Sequence, residues 1–326
     1  MNSLLKIYCF IILSSLEIFP GDVLINQAGY LPLSSKYTYY TAFADSFYVI
    51  EESTNIIYYR NAFYLETTDD PATGLTIYKG DFSSLTREGI YYIKTNTNES
   101  SYQFTISVNV YNELFKQALK AFYFQRCGSH LLSTHAGEYS RLVCHTNDGT
   151  FHSTAGSTGF HPSRGGWHDA GDFGKYVVNA GITVGTLLMA YELFPDKFDN
   201  DDLNIPQSAN GIPDLLDEVK YEIDWLLTMQ QEDGGIYFKL TREQFAPFIM
   251  PSEDNVTRYI YELSTTATGD FAAMLARFAR MYKEYDSTFS SECLSAAINA
   301  WNYLSSQQSI VPPGGFQNPP GTVTGE

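Results

Sequence analysis

The chain has 326 residues, of which 44% are apolar and 17% are charged, so it is long enough for about two domains with packed cores. Its formal net charge of −17 would repel phosphate backbones and anionic membranes, so neither nucleic acid nor a membrane is an expected partner. A neutral substrate suits this charge, and aromatic residues, at 15%, can fill a core or line a sugar-binding cleft.

Residues 1–20 predict a secretory signal. The apolar run at 7–16 follows the basic residue Lys6 and is too short to span a bilayer. The alternatives are a buried first strand or an uncleaved anchor. Glycosylation sequons at Asn98 and Asn255 agree with a secreted, extracellular protein.

Residues 21–108 predict a small antiparallel β-sandwich. Short aromatic and β-branched runs, such as GLTIYKGDF and GIYYIKT, are separated by Gly, Pro, Asp and Asn. This part of the sequence contains no recognisable catalytic cluster.

Residues 109–326 predict an all-α domain, because apolar side chains recur with helical spacing and no strand pattern separates the helices. The helical segments are 110–126, 173–194, 215–226, 271–282 and 293–304. The loop at 128–172 is long enough to need an anchor or a function. The Gly- and Pro-rich end supplies no closing element, so we expect the helical domain to be incomplete.

Two aspartates stand three residues apart in GGWHDAGDFGKY, residues 165–176. Gly171 would allow a sharp turn, and a following helix N-terminus would favour ionised carboxylates. An ionised carboxylate is what a general base needs, so Asp169 and Asp172 are candidate catalytic residues. The alternative is that one of them only caps the helix.

Cys127, Cys144, His145 and His168 form a candidate zinc site. Two thiolates and two imidazoles are a common tetrahedral donor set, and such a site would anchor the long loop. The alternative is a Cys127–Cys144 disulfide, which a secretory compartment favours.

The other candidate ligands have simpler interpretations. Cys293 is expected to be a buried thiol. The acidic residues of KFDNDDLNIP could indicate calcium, although a solvated loop is the simpler interpretation. The remaining candidates, expected to be surface or hydrogen-bonding histidines, are His130, His135, His152 and His161.

The chain resembles glycoside hydrolase family 9 through several long blocks in the same order. They are LINQAGYLP, FKQALKAFYFQRCG, GGWHDAGDFGKY, NGIPDLLDEVKYEIDWLLTMQQEDGGIYFKL and STTATGDFAAMLARFARMYKEYD. The resemblance implies an immunoglobulin-like β-sandwich at 21–108. It also implies, at 109–326, about the first half of an (α/α)6 barrel that cleaves β-1,4-glucans with inversion.

The resemblance also implies roles for single residues. Asp172 would be the general base, and Asp169 would hold the attacking water or orient Asp172. A structural zinc ion would be bound by Cys127, Cys144, His145 and His168. The general acid would be a glutamate beyond the end of this sequence. Most of a calcium loop would also lie beyond that end. We therefore expect this chain alone to be inactive or poorly folded.

The sequence therefore predicts a secreted endo-β-1,4-glucanase whose partner is a β-glucan polysaccharide. An exo-acting β-glucosidase or glucosaminidase is an alternative within the same family. A non-catalytic carbohydrate-binding protein is the alternative from another class, and a structural secreted protein would require both clusters to be coincidences. The sequence does not define the oligomeric state.

Overall fold

The computed structural model describes residues 21–316, 318 and 321–323, and the chain divides into two compact units, Met1–Phe115 and Lys116–Glu326. The predicted signal at 1–20 lies outside the described residues. Within the described part of the chain, no helix combines the length and apolar character needed to cross a membrane.

The described part of the first unit is built on a seven-stranded antiparallel arrangement in the order β1-β2-β5-β4-β3-β6-β7. The strands are β1 (Val23–Leu24), β2 (Tyr37–Tyr40), β3 (Ser46–Glu51), β4 (Ile57–Thr67), β5 (Ile77–Asp81), β6 (Gly89–Thr95) and β7 (Phe104–Ile106). The predicted strand-rich N-terminal region is thereby confirmed.

Alternating burial along these strands builds the first core. Phe47 and Val49 of β3 are buried, as are Tyr91 and Ile93 of β6, because successive side chains point to opposite faces of a sheet. Aromatic rings fill much of this core.

The described residues contain seven helices, all but the start of the first within the second unit. They are α1 (Asn112–Gln125), α2 (Ser133–Ala136), α3 (Val177–Leu193), α4 (Pro195–Phe198), α5 (Asp214–Thr228), α6 (Thr265–Tyr282) and α7 (Ser287–Ser306). Helix α6 packs along α7 and against α3, and α3 also contacts α5. Each of the five predicted helical segments corresponds to one of the five long helices.

Short strands also occur in the second unit, so the prediction of helices without strands is wrong in this detail. Among the described residues they form a four-stranded sheet in the order β8-β11-β10-β9. The strands are β8 (Thr150–Phe151), β9 (Lys175–Tyr176), β10 (Lys239–Thr241) and β11 (Tyr259–Ile260). Each has only two or three residues, too few to produce an alternating pattern in the sequence.

One apolar face of α7 is uncovered in the described structure. Leu294, Ile298 and Trp301 are 48%, 51% and 65% exposed. They line a groove of about 370 Å³ with the small residues of α6, Ala272 among them. Spacings of three and four residues place them on one stripe of the helix.

Candidate functional site

The two candidate aspartates lie on one tight turn between the long loop and β9. The Asp169 N–H donates to the Gly174 carbonyl over 2.9 Å, and the Phe173 N–H donates to the Ala170 carbonyl over 3.1 Å. Phe173 takes the left-handed conformation, at φ 60°, whereas Gly171 does not. The expected role of Gly171 in bending the chain is therefore wrong.

Neither aspartate caps the helix that follows. Helix α3 begins at Val177, after Tyr176, and no side chain caps its N-terminus in the described structure. Asp169 Oδ1 instead accepts a hydrogen bond of 2.8 Å from the side chain of Asn179 in the first turn of α3. The capping alternative is therefore wrong. The electrostatic effect of a helix N-terminus is largest at the first turn, and Asp172 lies before the first residue of α3 in the chain.

Asp172 presents its two carboxylate oxygens to different surroundings. Oδ2 accepts a hydrogen bond from the Tyr176 hydroxyl. Oδ1 is buried and has no hydrogen-bond partner among the described residues. Burial, and then the hydrogen bond to Asp172, raise the pKa of Tyr176, so its hydroxyl stays a donor at ordinary pH. One oxygen is thus held by a hydrogen bond, and the other is buried and unpaired among the described residues.

The four predicted metal ligands come together in space. One ligand atom from each of Cys127, Cys144, His145 and His168 lies within 4.8 Å of the other three. The distance from Cys127 Sγ to His145 Nδ1 is 3.7 Å, and that from Cys144 Sγ to His168 Nε2 is also 3.7 Å. His168 Nε2 lies 3.2 Å from His145 Nδ1.

These distances fit a tetrahedral metal ion. Zinc bonds of about 2.0–2.1 Å to nitrogen and about 2.3 Å to sulfur place tetrahedral donors about 3.3–3.8 Å apart. Cys127 and Cys144 are both free and buried, so the alternative disulfide is not formed.

Charged groups that the sequence analysis did not identify surround this cluster. His145 Nε2 lies 3.3 Å from Asp254 Oδ2, and Arg242 holds Asp254 through a contact of 3.1 Å. Such a carboxylate orients a metal-bound imidazole. Asp254 follows its partner His145 by 109 residues, and no short-range pattern reveals such a pairing.

The two sulfur atoms also have cationic neighbours. Arg141 donates to Cys144 Sγ over 3.3 Å, and Arg258 donates to Cys127 Sγ over 3.6 Å. Although burial opposes ionisation of Cys127, a hydrogen bond with Cys144 and the charges of Lys175 and Arg258 hold its pKa well below its usual value. The site therefore favours a thiolate, the form that binds metal, at Cys127. The hydrogen bond with Cys127, and then burial, raise the pKa of Cys144.

The backbone at residues 166–169, which carries His168 of the metal cluster and Asp169, is anchored to two helices. The His168 N–H donates to the Gln125 carbonyl at the end of α1 over 2.8 Å. The Trp167 N–H donates to Glu222 Oε2 of α5 over 2.6 Å. Gly166 takes a positive φ of 72°, and a Cβ there would lie 2.8 Å from the Trp225 ring. His168 and Asp169 are neighbours in this segment, so one fixed stretch of backbone holds both clusters.

Other histidines named in the sequence analysis have partners outside the cluster. His135 lies 3.0 Å from Asn204 Oδ1, and His161 lies 2.8 Å from the Thr228 carbonyl. His152 stacks on Tyr261 with ring centroids 4.5 Å apart. Cys293 is fully buried, as predicted.

The acidic loop at 199–202 is organised by the protein itself. Asp201 accepts hydrogen bonds from the N–H groups of Ala209 and Gly211, and Asp202 pairs with Lys116. These contacts favour the interpretation as a structural surface loop over a calcium site.

Comparison with known proteins matches each of the two units to a described family. Residues 111–321 match the family described as glycosyl hydrolase family 9, and residues 20–100 match the cellulase N-terminal ig-like domain. Endoglucanase D of Acetivibrio thermocellus is 40% identical over 311 residues, which cover 94% of this chain and 49% of that protein. Cellodextrinase of Butyrivibrio fibrisolvens is 34% identical over 93% of this chain and 54% of its own length.

Solved structures of family 9 proteins are also similar to this chain. The Bacteroides ovatus GH9 structure has a TM-score of 0.82 and 34% identity, over 87% of this chain and 53% of its own. A Zn-binding triple mutant of the GH family 9 endoglucanase J30 has a TM-score of 0.77 and 31% identity, over 86% and 53%. The chain spans about half the length of the curated relatives that it matches.

Proposed function

Because the chain belongs to glycosyl hydrolase family 9, we propose that its protein hydrolyses β-1,4-glucosidic bonds in cellulose or a related β-glucan. The observation that carries this proposal is the turn with Asp169 and Asp172, in which one oxygen of Asp172 is fixed and the other is unpaired among the described residues. The names of the relatives, an endoglucanase and a cellodextrinase, support this substrate class.

The proposed mechanism inverts the configuration of the anomeric carbon. Asp172 acts as the general base and takes a proton from the attacking water. Asp169, exposed and held by Asn179, helps to hold that water. An inverting enzyme needs a second carboxyl group, about 6.5–9.5 Å from the base, to protonate the leaving oxygen. From the family resemblance we expect this acid to be a glutamate beyond the residues of this sequence, which spans about half the relatives' length.

The test is hydrolysis of cellohexaose by the native protein that carries this sequence. Asp172→Asn should lower kcat by about 10²–10⁴-fold, because the substituted amide cannot accept the proton. Asp224→Asn is the matched control, since this exposed carboxylate on α5 only pairs with Lys220. Proton NMR should show the α-anomer as the first product, and a first product in the β configuration would contradict inversion.

Product sizes separate the alternatives. Release of mixed short oligosaccharides indicates endo action, whereas release of single sugar units indicates an exo-acting β-glucosidase or glucosaminidase. A folded native protein that binds cellohexaose without cleaving it would instead be a carbohydrate-binding protein.

We propose zinc as the ion held by Cys127, Cys144, His145 and His168. The donor set, the donor distances and the lowered pKa of Cys127 all suit it. With four protein donors the ion would be structural, and it would fix the loop that ends in Asp169. Calcium elsewhere in the whole protein remains an expectation from the resemblance.

We also propose that the helices belong to an (α/α)6 barrel and that the protein is secreted. The uncovered stripe of Leu294, Ile298 and Trp301 supports further helices packing against α7. The apolar run after Lys6 and the sequons at Asn98 and Asn255 support secretion.

A further inference from the structure

We infer that Tyr176 is a positioning residue that fixes the rotation of the Asp172 carboxylate, so that Oδ2 stays bonded to the protein and Oδ1 is left unpaired among the described residues. This inference rests on the proposed function of Asp172 as general base. It adds a residue that acts through Asp172 and takes no part in proton transfer itself.

The backbone holds Tyr176 rigidly. It lies in β9, paired in register with Lys239 of β10, and directly precedes the first residue of α3. Its side chain is 3% exposed. A residue that ends a strand and begins a helix has little freedom, so the position of its hydroxyl is set by two elements at once.

The turn is shaped around the Tyr176 ring. A Cβ added at Gly174 would lie 2.1 Å from the Tyr176 hydroxyl oxygen and 2.3 Å from the ring carbon that bears it. Any side chain at 174 would therefore displace the ring. The carbonyl of Gly174 also accepts the Asp169 N–H, so the tyrosine packs against the turn that carries both aspartates.

The hydrogen bond between Tyr176 and Asp172 has a fixed donor and a fixed acceptor. Burial and the contact with Asp172 keep Tyr176 protonated, so its hydroxyl donates and Asp172 Oδ2 accepts. Oδ1 has no partner among the described residues. Without the hydroxyl, the carboxylate could rotate and present either oxygen in a less productive direction.

The kinetic test compares Tyr176→Phe with wild type in the native protein. The variant keeps the ring and removes the hydroxyl, so kcat should fall about 10²-fold, as small misplacements of a catalytic group do. KM should stay within about twofold, because Tyr176, at 3% exposure, offers the sugar little surface. Tyr191→Phe is the matched control on α3, since its hydroxyl contacts that of Tyr285, away from the two aspartates, and it should keep wild-type kcat.

A spectroscopic test does not depend on activity. In the native protein, the hydroxyl proton of Tyr176 should give a downfield NMR resonance that Asp172→Ala and Tyr176→Phe both remove and Tyr191→Phe retains. Persistence of this resonance in Asp172→Ala would overturn the inference, even if Tyr176→Phe failed to fold.

The outcomes separate this inference from the proposed function. Wild-type hydrolysis with an unchanged kcat in Tyr176→Phe overturns the positioning role alone. A native protein that cleaves no β-glucan overturns the proposed function, and the positioning role with it.

Discussion

Glu222 is a carboxyl group carried by α5 into the protein interior, where it is 2% exposed. Its Oε2 accepts the N–H of Trp167, and it lines a cavity of about 230 Å³ together with Trp167 and Asp169. Burial raises its pKa from the ordinary value of 4.5 to about 8. At neutral pH this carboxyl is therefore largely protonated in the folded protein.

This burial makes stability depend on pH. Between about 4.5 and about 8 the folded state keeps a proton on Glu222 that the unfolded state releases, so stability falls as pH rises through that range. The slope due to this group is at most about 1.4 kcal/mol per pH unit. Glu222→Gln keeps an acceptor for Trp167 and should flatten the dependence, as measured by urea unfolding of the chain from pH 5 to 8.

The control for this prediction is Asp224→Asn on the same helix. Asp224 is exposed and pairs with Lys220, so its replacement should leave the slope unchanged. An equal change of slope in both variants would show that burial of Glu222 is not its cause.

The loop at 128–172 is the element whose order should depend on metal. It carries Cys144, His145 and His168, whereas Cys127 at the end of α1 supplies the fourth donor. Removal of zinc should leave the two sulfur atoms and the two imidazoles of the cluster without the ion that joins them. We therefore expect the loop to loosen while the helices away from it persist.

Cys144→Ser should abolish the binding of one zinc ion per chain, measured by elemental analysis, and should make the loop sensitive to limited proteolysis. A chelator should have the same effect on the wild type. Cys293→Ser is the matched control, because this buried thiol lies on α7 outside the cluster. Wild-type chain that folds fully without metal and resists proteolysis would contradict the proposed anchoring role.

The apolar stripe on α7 bears on the behaviour of the whole molecule. Exposed contiguous apolar surface promotes association in water, and Trp301 is the largest side chain of the stripe, 65% exposed. The isolated 326-residue chain should therefore self-associate with increasing concentration, and Trp301→Glu should reduce this in sedimentation velocity.

Asn302→Glu adds the same charge at the next position of α7, to one side of the stripe, and should leave the association unchanged. In the native protein, where we propose that further helices cover this face, Trp301→Glu should instead lower Tm, because it would bury a charge. An unchanged Tm of the native Trp301→Glu protein would contradict the proposal that further helices cover this face of α7.

Much of the site could be predicted from the sequence. The Asp169–Asp172 pair and the four metal donors are chemically distinctive residue types, and three of those donors lie within 25 residues of one another. The helices were predictable too, since apolar side chains at helical spacing in α3, α5 and α6 must be buried together.

Only the tertiary structure decided how those residues are held. The strand β9 is two residues long, and its pairing with β10 joins Tyr176 to Lys239, 63 positions later in the chain. With that pairing α3 starts at Val177, and neither Asp169 nor Asp172 caps it, which was the alternative to a catalytic role. Asp254 and Glu222 likewise reach the site from distant segments.

The sequence by itself therefore determined the family, the two kinds of unit and the residues able to do chemistry. The two kinds of unit and the reactive residues follow from local periodicity and residue type, whereas the family follows from the resemblance of long sequence blocks. The tertiary structure decided which oxygen of Asp172 is fixed, which carboxylate orients His145 and which carboxyl is kept protonated. Those properties depend on burial and on contacts between distant segments, and no local pattern encodes them.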